Sequence, residues 1–351
     1  MCGNHPTNKG GMTSVIEQIL DYDWKEKGIM IKFMPTFFPG NNIQKGIYFI
    51  YSYFRILFSF IMKKPDIVHM HMSYRGSFSR KYMIHKICKL FHVPDVVHLH
   101  GSEFESWYIE LSDTNKKKVR QFLSEVKQVI VLGKKWERIV RNIEQSTNIV
   151  VIPNCINIPG HCVQWNEEKF EFLFLGVLIK RKGIADLLLA LKLMKEKRVL
   201  NDISCIIAGT GEQEDELKKL AKEYNVDDVV KFIGWISGVE KKKYLERCQA
   251  LISPSYNEGL PVSILEACGY GMPIVTTDVG DIGMVVQNEV NGILFNPGDI
   301  DALINAMLYV SSKENYDNLS KASKEIINCF SIDKFYYKLE GVYSDLAACD
   351  K

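Results

Sequence analysis

The chain has 351 residues, 46% of them hydrophobic, which is enough for two domains that each bury a core. Its 44 basic and 42 acidic side chains leave a net charge of +2, so nucleic acid is not an expected partner. The nine cysteines show no CxxC or Cys/His ligand spacing, which argues against a disulfide framework and a structural zinc site. A reducing cytoplasm is the simplest location.

The N-terminal segment contains the pair Gly10 and Gly11, followed by an apolar pattern of helical period. Glycines before a helix let backbone amides approach a phosphate closely, and a plain turn is the equal alternative. Residues 29–36 then predict a strand, and residues 47–62 an aromatic-rich helix too short to span a membrane. We interpret this helix as buried in the first domain. The alternative is a membrane-facing patch that places Arg55 and its basic neighbours on lipid headgroups.

Two short buried strands are predicted at residues 65–71 and 96–104, and each carries histidine near its carboxyl end. Ligands bind outside the carboxyl edges of open parallel sheets, so His100 is a candidate ligand contact. The other histidines of these strands are explained as core or solvated side chains. After residue 154 the sequence turns irregular and loses its periodicity, and we place a domain boundary there.

The second half restarts with a strand, a turn and a helix, and three cationic side chains lie in that turn. The three are Lys180, Arg181 and Lys182. Cations at this place can neutralise a departing diphosphate, and a solvated basic loop is the alternative. Two Asp-x-Asp pairs, at 21–23 and 299–301, lie at predicted helix ends, where capping explains them better than metal coordination. We therefore expect no catalytic metal.

Residues 252–277 predict strand, loop, helix, turn and strand, with Glu258 in the loop and Glu266 in the helix. The helical rise separates the two carboxylates by roughly 10–12 Å, too far for a glycosidase pair, so they would contact different parts of one long ligand. Free backbone N–H groups where the helix opens form a site for a phosphate or a sugar oxygen. The residues at this opening are Gly259, Leu260, Pro261 and Val262.

The string that starts at Glu258 resembles the donor-site signature of retaining glycosyltransferases of family 4. The resemblance rests on two glutamates eight positions apart, on GLP after the first, and on EACGYGMPIV from the second. In that family the first glutamate meets the hydroxyls of the donor sugar, and the second holds the ribose of the nucleotide. Lys182 and Gly183 match the family's cationic segment. Val177 stands where the family often has arginine, and Arg181 is the candidate substitute.

The resemblance also assigns residues of the first half. His100 resembles the family's His-Gly position, where the imidazole and the nearby backbone reach the donor sugar. Gly10 and Gly11 resemble a loop that faces the donor diphosphate. In the family this loop follows a complete first strand, but residues 1–9 have turn chemistry here. We therefore expect a truncated first strand and a reading frame that extends further upstream.

The implied architecture is α/β, a GT-B fold of two Rossmann-like domains that face each other across a donor-binding cleft. Residues 1–160 form the acceptor-side domain in this interpretation, and residues 165–329 form the nucleotide-sugar-binding domain. Residues 330–351 form a helix that packs back on the first domain.

The implied activity is retaining transfer of a sugar from a nucleotide-diphosphate-sugar to a hydroxyl of a saccharide or lipid-linked saccharide. Cell-surface polysaccharide or glycolipid synthesis is the expected setting, with no cofactor beyond the donor substrate. We expect a cytoplasmic protein, with peripheral contact to the inner face of the cell membrane through the first domain as a further option. Two alternatives stay open: a nucleotide-sugar 2-epimerase of the same architecture, and a catalytically silent subunit that binds the sugar nucleotide.

Overall fold

A computed structural model describes residues 1–8, 10–200 and 202–348. The chain forms two compact units, one of Met1–Asn154 with Asp333–Lys351 and the other of Cys155–Ile332. Each unit contains a parallel sheet of six strands with helices on its faces. The first unit ends at residue 154 where the sequence predicted residue 160, and the chain returns to it at residue 333 where the sequence predicted residue 330.

The sheet of the first unit has the strand order β2-β1-β3-β4-β5-β6. Its strands are β1 (Cys2–Asn4), β2 (Met34–Phe37), β3 (Val68–Met72), β4 (Asp95–Leu99), β5 (Gln128–Val131) and β6 (Ile149–Val151). Its helices are α1 (Gly11–Asp21), α2 (Asn42–Met62), α3 (Gly76–Leu90), α4 (Phe104–Ile109), α5 (Asp113–Glu125), α6 (Lys134–Ile143) and α13 (Ile332–Ala348). Strands β3 and β4 are buried along their whole length, as the sequence predicted, although each also contains polar side chains.

The terminal helix α13 packs on the first unit through aromatic side chains. Tyr343 Oη lies 2.6 Å from Nδ1 of His69 on β3, and Tyr336 Oη donates a hydrogen bond of 2.7 Å to the carbonyl of Gln18 on α1. The Tyr336 ring also stacks on Tyr22, with centroids 3.9 Å apart. These contacts place the terminal helix over the sheet face that carries the histidines.

A strand is present at the start of the chain, so the interpretation of residues 2–4 as turn chemistry is wrong. Cys2 pairs with Met34 of β2 on one side and with Met70 of β3 on the other. An added Cβ on Gly3 would lie 2.4 Å from Ile16 Cδ1, so the glycine lets α1 pack directly on this strand. A strand of three residues is too short to show a period in the sequence, which is why the pattern did not reveal it.

The aromatic-rich helix forms as predicted, but its interpretation as a buried helix is wrong. Helix α2 begins with a capping box in which Asn41 and Gln44 each accept the other's backbone N–H. Of its residues only Ser52, Ile56 and Phe60 are buried. Most of its apolar side chains face solvent.

The sheet of the second unit has the strand order β12-β11-β10-β7-β8-β9. Its strands are β7 (Phe170–Leu175), β8 (Ile203–Ala208), β9 (Val230–Gly234), β10 (Ala250–Ser253), β11 (Ile274–Thr277) and β12 (Gly292–Phe295). Its helices are α7 (Ile184–Glu196), α8 (Glu214–Glu223), α9 (Gly238–Leu245), α10 (Val262–Gly269), α11 (Ile300–Ser311) and α12 (Lys313–Ile326). Within this unit Asp299 caps α11 by accepting from the Ala302 N–H at 2.9 Å, as the sequence predicted.

The strand order of the second sheet reverses between β7 and β10. From β7 the chain moves outward to β8 and β9, and it then returns to the other side of β7 to lay down β10, β11 and β12. Ligands of open α/β sheets bind at such a reversal, outside the carboxyl ends of the strands. The loops that follow β7 and β10 are therefore the place to look for a ligand site.

No helix within the described parts of the chain is both long and apolar enough to cross a membrane.

Candidate functional site

The loop after β7 presents the three predicted cations in a rigid turn. Lys180–Lys182 form one turn of 3₁₀ helix, and Gly183 follows in the left-handed region with φ 68° before α7 begins. An added Cβ on Gly183 would lie 2.0 Å from the carbonyl oxygen of Pro254 in the loop after β10. The glycine is therefore what allows the two loops to lie against each other.

The same loops bring Glu258 together with two of the cations. Lys182 Nζ donates to Glu258 Oε1, and Arg181 Nη1 lies 3.7 Å from Glu258 Oε2. Arg181 Nη1 also donates to the Asn257 carbonyl at 2.6 Å. The Glu258 side chain is only 8% exposed, so its charge is shielded from water and balanced by cations. The sequence-predicted cluster of Lys182, Arg181 and Glu258 is thus assembled within one unit.

Two hydroxyl side chains of this cluster were not predicted from the sequence. Ser255 Oγ donates to Glu258 Oε1 at 2.8 Å, and Thr277 Oγ1 donates to the Ser255 carbonyl at 2.5 Å. Both are fully buried, Ser255 in the loop after β10 and Thr277 at the end of β11. Ser255 lies three residues before Glu258 in a proline-containing loop, and nothing in that spacing distinguishes it from an ordinary turn residue.

A second glycine supports the loop that carries Glu258. Gly280 has φ 57°, and a Cβ there would lie 2.1 Å from the Glu258 carbonyl oxygen. The neighbouring Asp281 N–H donates to the Gly259 carbonyl at 2.9 Å. The loop after β11 therefore fixes the backbone of Glu258 and Gly259.

Gly183→Ala is expected to destabilise the second unit, because alanine adds both a left-handed backbone cost and a clash with Pro254. The expected fall in melting temperature is about 5 °C or more, measured by thermal unfolding of the whole chain. Gly160→Ala is the matched control, since a Cβ at Gly160 would meet nothing within 4 Å. Equal melting of the two variants would contradict the close approach of the loops.

The helix that carries Glu266 opens as the sequence predicted. Pro261 directly precedes α10, whose first residue is Val262, while Gly259 and Leu260 lie buried in the loop before it. Proline has no N–H to leave unpaired, so it suits this position. Glu266 is partly exposed, and its Oε1 is 2.5 Å from Lys241 Nζ on α9. Lys241 lies on the preceding helix, 25 residues earlier in the chain, and no local sequence signal connects it to Glu266.

The remaining predicted site residues lie in the first unit. Gly10, with φ 142°, precedes the first residue of α1, Gly11, and a Cβ on either would meet nothing within 4 Å. His100 lies at the carboxyl end of β4, and its Nε2 is 2.9 Å from His71 Nδ1. Burial lowers the pKa of His100 to about 3, so its imidazole is neutral near physiological pH.

His100 belongs to a stack of four imidazoles on one face of the first sheet, with His69, His71 and His98. His69, His71 and His98 each offer a ligand atom, and these atoms lie within 4.8 Å of one another. Each of these three side chains also has a buried ring nitrogen without a hydrogen-bond partner. Their rings are stacked, with planes only 15–28° apart, so the in-plane lone pairs do not converge on one point as zinc ligands must. This cluster suits a neutral core better than a metal. The absence of a catalytic metal stays a prediction.

The carboxyl edge of the first sheet also presents a polar group that was not predicted. Tyr74, in the loop after β3, donates its hydroxyl to Glu103 in the loop after β4. The next residue, Arg75, has φ 52°, a strained conformation for an arginine. Backbone strain of this kind often occurs at functional sites, so this edge is a second candidate for ligand binding.

Two family models match the chain. The model of group 1 glycosyl transferases matches residues 163–326, and the model of glycosyltransferase family 4 matches residues 21–158. A galactosyltransferase of Escherichia coli, named for UDP-Gal and alpha-D-GlcNAc-diphosphoundecaprenol, is 26% identical over 92% of this chain and 86% of its own length. The amylovoran biosynthesis glycosyltransferase AmsK of Erwinia amylovora is 23% identical over 72% of this chain and 63% of its own length.

Solved structures match the fold over almost the whole chain. Sucrose-phosphate synthase from Thermosynechococcus elongatus superimposes with a TM-score of 0.84 at 17% identity, covering 99% of both chains. Anabaena HepE in complex with UDP and glucose gives a TM-score of 0.77 at 15% identity, covering 98% of both chains. With one family model on each unit and these structural matches, the chain belongs to the glycosyltransferases of family 4 and has the GT-B fold.

Proposed function

We propose that the protein is a retaining hexosyltransferase that moves a sugar from a nucleotide-diphosphate-sugar to a hydroxyl of its acceptor. The observation that carries this proposal is the cluster of Lys182, Arg181 and Glu258 at the strand reversal of the second sheet. Two cations beside a carboxylate suit a ligand that has a diphosphate at one end and sugar hydroxyls at the other. HepE, which has the same fold, is known in complex with UDP-glucose.

In the proposed donor complex the charges of this cluster are redistributed. Glu258 accepts hydrogen bonds from hydroxyls of the transferring sugar, and Ser255 and the backbone braced by Gly280 hold the carboxylate in place. Lys182 and Arg181 then face the diphosphate oxygens. The cations are already positioned by the fold, so little reorganisation is needed when negative charge develops on the leaving group.

The nucleotide end of the donor is assigned to α10. Glu266 accepts hydrogen bonds from the ribose hydroxyls, which requires Lys241 to share or release this carboxylate. The helix opening formed by Gly259, Leu260, Pro261 and Val262 supplies backbone N–H groups and a positive dipole end. An oxygen of the diphosphate or of the sugar binds favourably there.

The proposed chemistry is front-face departure without a covalent intermediate. In the described chain Glu258 contacts two cations and a hydroxyl, and a carboxylate that balances cations is a weak nucleophile. The bond from the sugar C1 to the phosphate oxygen breaks, and the acceptor oxygen bonds to C1 on the same face. The departing phosphate oxygen takes the acceptor's proton while Lys182 and Arg181 stabilise its charge.

Residues of the first unit complete the proposal. His100 is neutral near physiological pH, so it exchanges hydrogen bonds with a sugar hydroxyl without placing a cation beside it. Gly10 and Gly11 leave the start of α1 open for close approach of a phosphate. Tyr74 and Glu103 are candidates for the acceptor hydroxyls.

The acceptor we propose is a saccharide or a lipid-linked saccharide, used in cell-surface polysaccharide or glycolipid synthesis on the cytoplasmic face of the cell membrane. The E. coli relative is named for a diphosphoundecaprenol acceptor, and the Erwinia relative for amylovoran biosynthesis. A peripheral location at the membrane follows from an acceptor with a lipid anchor.

Donor turnover is expected to survive EDTA and to fall by about 100-fold or more in Lys182→Ala, because cations of the protein, not a metal, stabilise the leaving diphosphate. The measurement is release of nucleoside diphosphate from a panel of nucleotide sugars. Lys180→Ala is the matched control, since Lys180 lies in the same turn but is exposed and does not contact Glu258. Loss of activity with chelator and its return with Mn²⁺ would refute the proposal, as would equal effects of the two lysine variants.

A further inference from the structure

The solvent-facing side of α2 carries a continuous row of large apolar side chains. Its members are Ile43, Ile47, Ile50, Phe54, Phe58 and Ile61, and each is between 58% and 74% exposed. They follow one another at spacings of three or four residues, so they lie on one face of the helix over about five turns, or roughly 27 Å. We call this row the α2 stripe. The opposite face already packs on the sheet through Ile56 and Phe60, so the stripe is a second, uncovered apolar face.

The charged residues of α2 and of the sequence beside it, from residue 29 to residue 65, are all basic, and the exposed Asp66 follows this stretch. From residue 29 to residue 65 the sequence contains no Asp or Glu, and its basic residues are Lys32, Lys45, Arg55, Lys63 and Lys64. In the described parts of the chain none of these five enters a salt bridge. The region therefore has basic charge without internal neutralisation, although the whole chain is nearly neutral. Its complement is an anionic surface.

A groove continues the stripe at the C-terminal end of α2. It has a volume of about 520 Å³, and it is lined by this end of the helix and by the amino-terminal ends of β1, β2 and β3. Apolar side chains such as Met34 and Met62 form its walls, and Lys32, Arg55 and Lys63 are among its lining residues. An apolar groove bordered by cations fits an amphiphile with a negative head.

We infer that the α2 stripe is an interfacial membrane surface, which lies in the plane of an anionic lipid leaflet with its apolar side chains among the upper acyl chains. This inference rests on the peripheral location proposed above, and it identifies the surface of the protein that contacts the membrane. A helix of high apolar content with flanking Lys and Arg binds at the boundary of headgroups and acyl chains, through buried apolar area and attraction to anionic lipid. The groove and its cations lie at the amino edge of the first sheet, away from the carboxyl edge where His100 lies.

A second copy of the chain is the main competing occupant of the stripe. Two copies meeting through α2 would bring Arg55, Lys63 and Lys64 of each close to the same cations of the other, with no acidic residue between 29 and 65 to pair with them. Like charges placed together oppose association. The charge pattern therefore favours an anionic lipid surface over self-association.

The test is co-sedimentation of the full chain with vesicles, without donor or acceptor. We expect binding to phosphatidylcholine vesicles with roughly one quarter phosphatidylglycerol, and weaker, salt-insensitive binding to phosphatidylcholine alone. The double variant Phe54→Glu/Phe58→Glu is expected to bind the anionic vesicles about tenfold or more weakly. The double variant Arg55→Gln/Lys63→Gln is expected to lose the preference for anionic lipid. Leu90→Glu/Ile109→Glu is the matched control, because these side chains are 72% and 63% exposed outside the stripe.

Three results would overturn the inference: absence of binding to anionic vesicles, equal binding by the stripe variant and the control, or a dimer in analytical ultracentrifugation that the stripe variant dissociates. The substituted side chains are exposed, so the variants should unfold at the same temperature as the parent, and circular dichroism checks this. Failure of vesicle binding with intact donor turnover would remove the membrane surface and leave the transferase proposal standing. Vesicle binding without donor turnover would leave the membrane surface standing and remove the transferase proposal.

Discussion

Glu258→Gln is expected to lower kcat by about 100-fold or more while changing the donor KM little. Glutamine keeps the shape of the side chain but removes the charge that Lys182 and Arg181 now balance. In the proposed complex this charge orients the transferring sugar, and it supports the positive charge that develops at C1 as the phosphate leaves. An interaction of this kind is strongest in the transition state, so its loss appears in kcat.

Glu266→Gln is expected to have the opposite kinetic signature. Its proposed contacts are to the ribose, which does not change during transfer, so its loss should raise the donor KM by about tenfold and change kcat by about twofold or less. Glu214→Gln is the control for removal of a paired carboxylate. Its partner is Lys218, one turn away on α8. If Glu258→Gln and Glu266→Gln both act by less than about threefold, the assignment of the two glutamates is wrong.

The first unit is expected to lose stability as the pH falls from about 7 to about 5. Burial lowers the pKa of His69 to about 3 and of His100 to about 3, and it also lowers the pKa of His71 and His98. The unfolded chain protonates these imidazoles near their ordinary pKa of about 6.5. Between that value and the folded pKa the unfolded state binds more protons, so the contribution of each neutral histidine is complete above about pH 6.5 and is lost on acidification.

The expected loss is on the order of 1–2 kcal/mol per buried histidine at about pH 5. His85 acts in the opposite sense: burial lowers its pKa, but the hydrogen bonds and charges of Asp95 and Glu125 outweigh burial and raise it. Its contribution is present below about pH 6.5 and declines as the pH rises through its folded pKa. Four histidines have a lowered pKa and one has a raised pKa, so the first unit is expected to lose stability in acid.

His98→Leu tests the origin of this acid sensitivity. Both ring nitrogens of His98 are buried without a hydrogen-bond partner, so an apolar replacement of similar size should be neutral or stabilising near pH 7. It should also reduce the loss of melting temperature between about pH 7 and about pH 5. His161→Gln, at an exposed site in the other unit, is the control. Melting temperatures that do not depend on pH in the parent, or equal acid loss in His98→Leu, would contradict the account.

Local patterns in the sequence predicted much of the fold, and the resemblance to a known family predicted the residues of the central cluster. Short, mostly apolar segments of the sequence predicted the buried strands β3 and β4. The resemblance of Lys182 and of the string that starts at Glu258 to family 4 indicated the side chains that the second sheet brings together. The first signal is local, whereas the second joins motifs that lie 76 residues apart in the chain.

Other features depend on contacts that a local pattern does not contain. Strand β1 has only three residues, and it is recognised as a strand by its pairing with β2 on one side and β3 on the other. Helix α2 is apolar on two faces, so its periodicity cannot tell which face the sheet covers. Lys241 reaches Glu266 from another helix, so their pairing was not predictable from spacing along the chain.

Retaining transfer from a nucleotide sugar at the cluster of Lys182 and Glu258 is tested by the anomer that slow donor hydrolysis releases. The full chain is incubated with α-linked nucleotide sugars in EDTA, and proton NMR follows the free sugar before mutarotation mixes the anomers. We expect the α-anomer to appear first and its release to be about 100-fold or more slower in Lys182→Ala. First appearance of the β-anomer, interconversion of the donor at C2, or binding without turnover would contradict this expectation.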